Sequence, residues 1–301
     1  MNNDQFSIER KAFESIIKYN TYPYSISVEA TAFCNLKCIM CSNAYMKRKK
    51  GYMSLDLFKK IATDAAEFFP ESHFWMNGYG EPLLNPNFIN MVEFASSLGL
   101  ETYVNTNGML LTNEMVEKLF NAGLGHIVCS IDGFSPKTYE SIRKGGDRNI
   151  VYQNIINALR KKEEKSYSTD IEVQIIIMPE TESEVDEWES FWKAQGAGIK
   201  LKSYATWGGT VEQRTNILNE RYACGDSNVL DILWDGRVPF CSTGDVECEY
   251  QLGDVKKESL YTIWENKLNS FCVFHETHQF DKLPSSCRKC TDWMTMPAKH
   301  E

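Results

Sequence analysis

Three cysteines fall within eight residues, Cys34-Asn-Leu-Lys-Cys38-Ile-Met-Cys41, and no other stretch of the 301 residues constrains the fold as tightly. They follow an apolar run, Tyr24 to Ala30, at the point where it turns polar. Alternating β-branched residues ending in a polar break read as a strand that runs into a loop. The C-x3-C-x2-C spacing gathers three thiolates in one place, which suits a cubane iron–sulfur cluster, normally held by four cysteines. Three protein ligands leave one iron open to a small molecule. The plainer readings are buried cysteines clustered by chance or a zinc knuckle. Zinc asks for a fourth ligand nearby in a closed site, and none follows before His73.

At these residues the chain resembles the radical S-adenosylmethionine (radical SAM) superfamily, whose signature is this spacing. The resemblance implies that the open iron takes the amino and carboxylate groups of S-adenosylmethionine. It further implies that the reduced cluster cleaves the C5′–S bond, and that a 5′-deoxyadenosyl radical then abstracts a substrate hydrogen atom. The cofactor carries that chemistry, and the protein positions and shields it. Met40 stands where the family often has an aromatic residue against the adenine; its sulfur suits contact with an aromatic ring.

The length allows a full core in one large domain or a large one plus a small one. A net charge of −9 argues against nucleic acid as the main substrate, because phosphate neutralisation needs clustered Lys and Arg. The single basic run, Lys47-Arg-Lys-Lys50, reads as a solvated loop before a phosphate contact. No signal peptide or membrane span is apparent, so a cytoplasmic protein with no membrane partner is expected. In a reducing compartment ten cysteines point to metal ligands rather than disulfides.

Residues Phe6 to Asn20 read as a short amphipathic helix. Strand-like runs then recur at Tyr24–Ala30, His73–Met76, Glu101–Asn105, Ile127–Ile131, Ile171–Ile177 and Ile199–Lys202. Helical stretches lie between them, the first opened by Ser54 and running to about Phe69. Others follow at Phe88–Leu98, Asn113–Asn121, Ile150–Glu164 and Glu182–Gln195. Such alternation predicts a parallel sheet of right-handed βαβ units. The expected fold is α/β, a partial (β/α)6 TIM-like barrel with a small cysteine-rich C-terminal domain. Its parts are an N-terminal helix over 1–20, the barrel over 21–209 and the tail over 210–301, with Thr210 to Asn219 as the bridge.

Functional groups of parallel barrels sit at the C-terminal strand ends, where the three cysteines fall. After the second strand, Asn77-Gly78-Tyr79-Gly80-Glu81-Pro82 places two glycines where backbone can approach a ligand. The segment resembles the family's GGEP motif, which implies that its backbone and Glu81 engage the methionine ammonium of the cofactor. Asn105-Thr-Asn107-Gly resembles the TNG element, offering Asn105 and Asn107 to the cavity. Ser130-Ile-Asp132-Gly resembles SxDG, with Ser130 and Asp132 near the ribose. Arg143 matches the arginine that pairs with the cofactor carboxylate, an orienting bidentate contact.

Beyond 210 the chain becomes irregular and cysteine-rich. Val229–Trp234, the turn Asp235-Gly236 and Arg237–Cys241 read as a β-hairpin that carries Cys241 back towards Cys224. With Cys287 and Cys290 these make four thiolates, which from spacing alone serve tetrahedral zinc and a closed [4Fe–4S] cluster about equally. The order of cysteines, LGDV and SLYTIW resembles the SPASM/twitch tail of radical enzymes in its single-cluster form. The resemblance implies one auxiliary [4Fe–4S] on Cys224, Cys241, Cys287 and Cys290, two clusters in all. Cys129 and Cys272 read as packing residues. Cys248 is a spare ligand, a hydrogen-atom donor or a loop cysteine.

These features point to a radical oxidoreductase acting on a small molecule such as a sugar or aminocyclitol. The auxiliary cluster would accept the substrate electron, and a reducing donor such as flavodoxin or ferredoxin would supply the first cluster. Maturation of a ribosomally made peptide is the alternative substrate class, although no leader-binding domain is evident at either terminus. Epimerisation of a sugar through a Cys248 thiol is another. A non-catalytic iron–sulfur carrier or zinc scaffold is the alternative outside catalysis, and a carrier has no need of a cofactor cavity.

Overall fold

The computed structural model describes residues 21–214, 221 and 223–294. The helix expected over Phe6 to Asn20 and the later half of the expected bridge lie outside them. The first strand, β1 (Ser25–Val28), leads into the cysteine loop and then helix α1 (Leu55–Phe68). Ser54 caps α1 by accepting from Leu57 N at 3.3 Å. There follow β2 (His73–Trp75), α2 (Phe88–Ser97), β3 (Thr102–Thr106), α3 (Asn113–Asn121) and β4 (His126–Ser130). Two helices, α4 (Pro136–Ile142) and α5 (Arg148–Lys165), precede β5 (Asp170–Ile177); α6 (Val185–Ala194) and β6 (Gly198–Ser203) complete the series. The six strands pair in parallel and in sequence order, as the alternation predicts. Helix α4 is absent from the sequence reading; its start is marked by Ser135, which caps Thr138 N, and by Pro136 at the first helical position.

Along these strands alternate residues face the helices. Ile26, Val28, Phe74, Val104, Ile127, Cys129, Ile171, Val173 and Ile175 join the buried core of α1 to α6. The residues between them face the barrel axis. Near the N-terminal ends Tyr103 stacks on Trp75 and on His126, with ring centres 4.7 and 4.0 Å apart. Polar groups occupy the other end, where the strand-end motifs lie.

The hairpin reading is corrected in part. The turn forms: Gly236 has φ 89° and donates its N–H to Leu233 O at 2.8 Å. Its two arms then part. Strand β7 (Val229–Ile232) joins the main sheet as a seventh member, parallel to β1 from Ser25↔Val229 to Val28↔Ile232. The next strand, β8 (Arg237–Pro239), pairs antiparallel with β9 (Gln251–Asp254) instead. An open β1 edge presents unpaired backbone groups; β7 satisfies it and buries Leu230 and Ile232. Helix α7 (Leu260–Lys267), with Ile263 and Trp264 fully buried, docks on α1 through Leu260 N and the Asp64 carboxylate at 3.1 Å. No helix of the described residues is long and apolar enough to cross a membrane.

Candidate active site and its two cysteine sets

The loop after β1 carries Cys34, Cys38 and Cys41, all partly exposed at the C-terminal end of the strand. Local turns fix it. Cys41 N bonds to Cys38 O at 3.2 Å, and the Cys34 and Cys41 sulfurs accept from Leu36 N and Asn43 N at 3.5 and 3.4 Å. Burial raises all three thiols above their ordinary pKa, Cys41 to about 11, and the other two thiols push Cys41 further up. The loop's cysteines therefore stand as thiols, and metal binding must release protons.

The second wall is a short antiparallel pairing of Lys37–Cys38 with Arg143–Lys144. It sets the Arg143 Nη1 3.9 Å from the Cys38 sulfur. Arg143 is 6% exposed and also grips Asp132, Nη2 to Oδ2 at 2.6 Å. Asp132 is fully buried, and its other oxygen accepts Ile176 N at 2.7 Å. Asp132, expected near the ribose, thus ties Arg143 to the backbone of β5. Ser130 accepts from Gln174 Nε2 at 2.6 Å.

The Gly-rich segment after β2 packs closely against the protein itself. Neither Gly78 nor Gly80 has a positive φ. A Cβ on Gly80 would meet Thr31 O and sit 2.5 Å from Phe33 O; one on Gly78 would sit 2.6 Å from Glu29 Cγ. The glycines therefore let this segment dock on the start of the cysteine loop. Glu81 is also taken up by the protein: it accepts Thr106 Oγ1 and Asn107 N at 2.8 Å each and Leu83 N at 3.2 Å. Those bonds fix the loop after β3, so Asn107 reaches Asn35 Oδ1 at 2.8 Å and lies 4.0 Å from the Cys34 sulfur. Asn105 turns a buried Oδ1 with no partner into the same region.

Cys224, Cys241, Cys287 and Cys290, far apart in sequence, line one pocket. Burial raises each thiol, and neighbouring thiols of the set add to the rise at Cys224, Cys241 and Cys290. Three lining residues went unnoticed in the sequence. Arg221 Nη2 lies 3.3 Å from the Cys287 sulfur, and the fully buried His275 places Nε2 3.8 Å from it. Burial lowers His275 to about 3, so it is neutral. Asp226, raised by burial, approaches Cys241 at 4.0 Å. Isolated charged and imidazole residues gave no pattern signal that could have placed them here.

The two cysteine sets are tied together. Asp292 holds the loop after β6, accepting Thr206 Oγ1 and Gly208 N at 2.8 Å each. That loop presents Trp207, whose Nε1 donates to Met40 O at 2.9 Å. Tyr79 packs on Trp207 and gives its hydroxyl to Ser242 O, next to Cys241. Met40 itself sits among Ile142, Met178, Tyr204 and Val211. Cys248 does not line the cavity. It is buried with Ala32, Met46, Tyr79 and Leu233, and burial pushes its thiol up to about 12. Cys129 lies in the main core, and Cys272 gives its thiol to Ser227 O at 3.2 Å. The basic run is not a solvated loop throughout: Arg48 is buried in an ion pair with Glu29 at 2.6 Å.

Among the described residues no three His, Cys, Asp or Glu side chains converge as a single metal ion demands. Soft thiolates alone form both sets, which suits iron–sulfur clusters.

The family described as the Radical SAM superfamily matches residues 28–191, and an iron-sulfur cluster-binding domain matches residues 224–291. A tungsten-containing aldehyde ferredoxin oxidoreductase cofactor-modifying protein of Pyrococcus furiosus is 25% identical over 88% of this chain and 86% of its own. The crystal structure of BtrN in complex with AdoMet and 2-DOIA superposes with a TM-score of 0.63 at 18% identity, over 90% of this chain and 94% of BtrN. Streptococcus suis SuiB bound to precursor peptide SuiA superposes with a TM-score of 0.67 at 12% identity, over 86% of this chain and 68% of SuiB.

Proposed function

We propose that this chain, which belongs to the Radical SAM superfamily and carries its iron–sulfur cluster-binding tail, oxidises a small molecule such as a sugar or aminocyclitol. One observation carries the reading: the four tail cysteines line a single cavity, so a cluster there is closed by protein ligands and suits electron transfer, with no iron left for substrate. Cys34, Cys38 and Cys41 would hold the other cluster, and their three-thiolate set leaves one iron for S-adenosylmethionine. Bound there, the cofactor and the two clusters would supply hydrogen-atom abstraction and one-electron transfer.

The chain's own residues position this chemistry. Arg143, beside Cys38, offers Nη1 to the cofactor carboxylate while Asp132 fixes its plane. Asn107 supplies an amide group from the loop that Glu81 secures, and Asn105 one from the end of β3. The Gly78–Gly80 backbone walls the cysteine loop, and Ser130 faces the mouth beside Gln174. The burial of Cys248 outside the lining of the tail pocket favours oxidation over epimerisation, since a hydrogen donor must reach the substrate. The reading predicts 5′-deoxyadenosine from the anaerobically reconstituted, dithionite-reduced protein, and about one equivalent per oxidised product. Reconstituted protein with full iron that never cleaves S-adenosylmethionine would refute it.

A further inference from the structure

Inside the barrel, Lys202 has no hydrogen-bond or ion-pair partner among the described residues. Ile199 and Leu201 of β6 pack towards the helices, so Lys200 and Lys202 face the axis. Lys200 shows this directly, with Nζ 5.2 Å from the centre of the Trp75 ring on the far side of the barrel. Lys202, two residues nearer the mouth and half-buried, makes no hydrogen bond or ion pair among the described residues. Asp132 and Asp226 act on it only through space. Asp132 is already committed to Arg143 and to Ile176 N. Lys202 therefore stands between the Arg143–Asp132 side of the first cysteine set and the cavity of the second.

A second, independent observation lies on the neighbouring strands. Gln174 pairs in register with Lys200 and with Ser130 and is 7% exposed. Its Nε2 is used by Ser130, while its Oε1 has no partner; Asn105 Oδ1 on β3 is in the same state. Buried acceptors and a desolvated ammonium without partners are unfavourable in a finished core. They are what a site holds ready for a ligand that brings donors and negative charge.

We propose, resting on the radical SAM reading above, that Lys202 anchors the substrate through an anionic oxygen group, a carboxylate or a phosphate. Gln174 and Asn105 accept hydrogen bonds from hydroxyl or amino groups of the same molecule. Burial lowers the Lys202 pKa, and an incoming anion reverses that, so binding strengthens the charge it uses. The substrate then spans the space between the two cysteine sets, where both hydrogen abstraction and electron removal are within reach.

The test titrates the reconstituted, S-adenosylmethionine-loaded protein with inorganic phosphate and, separately, with acetate, following tryptophan fluorescence and the thermal midpoint. Wild type, Lys202→Met and Lys202→Arg are compared. The expected result is saturable binding of one anion, weakened about tenfold or more in Lys202→Met and largely restored in Lys202→Arg. Affinity for S-adenosylmethionine and substrate-free 5′-deoxyadenosine formation should stay unchanged in both variants. Which anion binds distinguishes a phosphate from a carboxylate substrate. The proposal is overturned if neither anion saturates the wild type, if Lys202→Met binds as well, or if that variant loses S-adenosylmethionine instead. A wild type that never forms 5′-deoxyadenosine sinks the proposed function, while the anion titration still reads Lys202.

Discussion

The two cysteine sets are built in opposite ways. Cys34, Cys38 and Cys41 lie on one short loop, partly exposed, and its own turns shape them. Cys224, Cys241, Cys287 and Cys290 come from separate segments that the fold brings to one pocket. The first set opens on the barrel mouth beside Asn107 and Arg143. The second is enclosed, with Arg221 and His275 against Cys287. An open three-thiolate set suits a cluster that must meet a small molecule. An enclosed four-thiolate set suits one that only exchanges electrons.

The largest effect that could break this division is loss of the open set. Changing Cys34, Cys38 and Cys41 together to alanine should abolish 5′-deoxyadenosine formation and lower iron from about eight to about four per chain. Anaerobic reconstitution with metal analysis and chromatography reads both. Cleavage by the triple variant would mean that the tail set, not the loop, holds the reactive cluster.

The enclosed set should separate the two activities. Cys287→Ala or Cys290→Ala is expected to stop substrate turnover while cofactor cleavage survives, again with iron falling to about four. Metal analysis also decides what the cavity holds: one zinc beside about four irons in the wild type would make the tail a zinc scaffold and end the electron-acceptor reading.

This contrast also explains what could be read before the fold. The open set, the six parallel strands and the strand-end motifs were legible because each is local, a spacing or a periodicity within about ten residues. The four tail cysteines were named, but the path that unites them was misread. Val229–Ile232 has the pattern of either hairpin arm or sheet strand, and only the unpaired edge of β1 decides between them. The packing of Gly78, Gly80 and Glu81 was not legible for the same reason. Their partners, Glu29, the Thr31–Phe33 backbone and the loop after β3, are distant in sequence. Lys202 and His275 carry no motif at all; only burial and proximity mark them.

A steric change sharpens the division at smaller scale. Gly80→Ala drives a Cβ into the backbone of Thr31 and Phe33, which cannot yield as a side-chain tip would. Overpacking of this kind costs about 1–3 kcal/mol, or several degrees in Tm for a chain of this size. The shift should fall unequally: reconstitution of the first cluster suffers and the second is spared, as electron paramagnetic resonance of the two reduced clusters would show. Equal loss of both would mean that the sets are not independently shaped.

The smallest effect concerns Cys248, and it tests oxidation against epimerisation. An oxidase must remove a second electron from the substrate, so an auxiliary cluster serves it and a donor thiol does not. An epimerase must return a hydrogen atom to the opposite face, which needs a thiol in reach of the substrate. Cys248 packs among Ala32, Met46, Tyr79 and Leu233, outside the lining of the tail cavity. Its replacement by alanine leaves a small void, worth about 1 kcal/mol, and removes nothing the proposed oxidation uses. Cys248→Ala should therefore keep most of its turnover with a slightly lowered Tm. Running the reaction in D2O decides the matter at the atom concerned. Oxidation leaves no solvent deuterium on the reacting carbon in either protein. Deuterium incorporated there by the wild type, and lost together with product in Cys248→Ala, would show that this thiol swings out of its apolar cluster to act as donor.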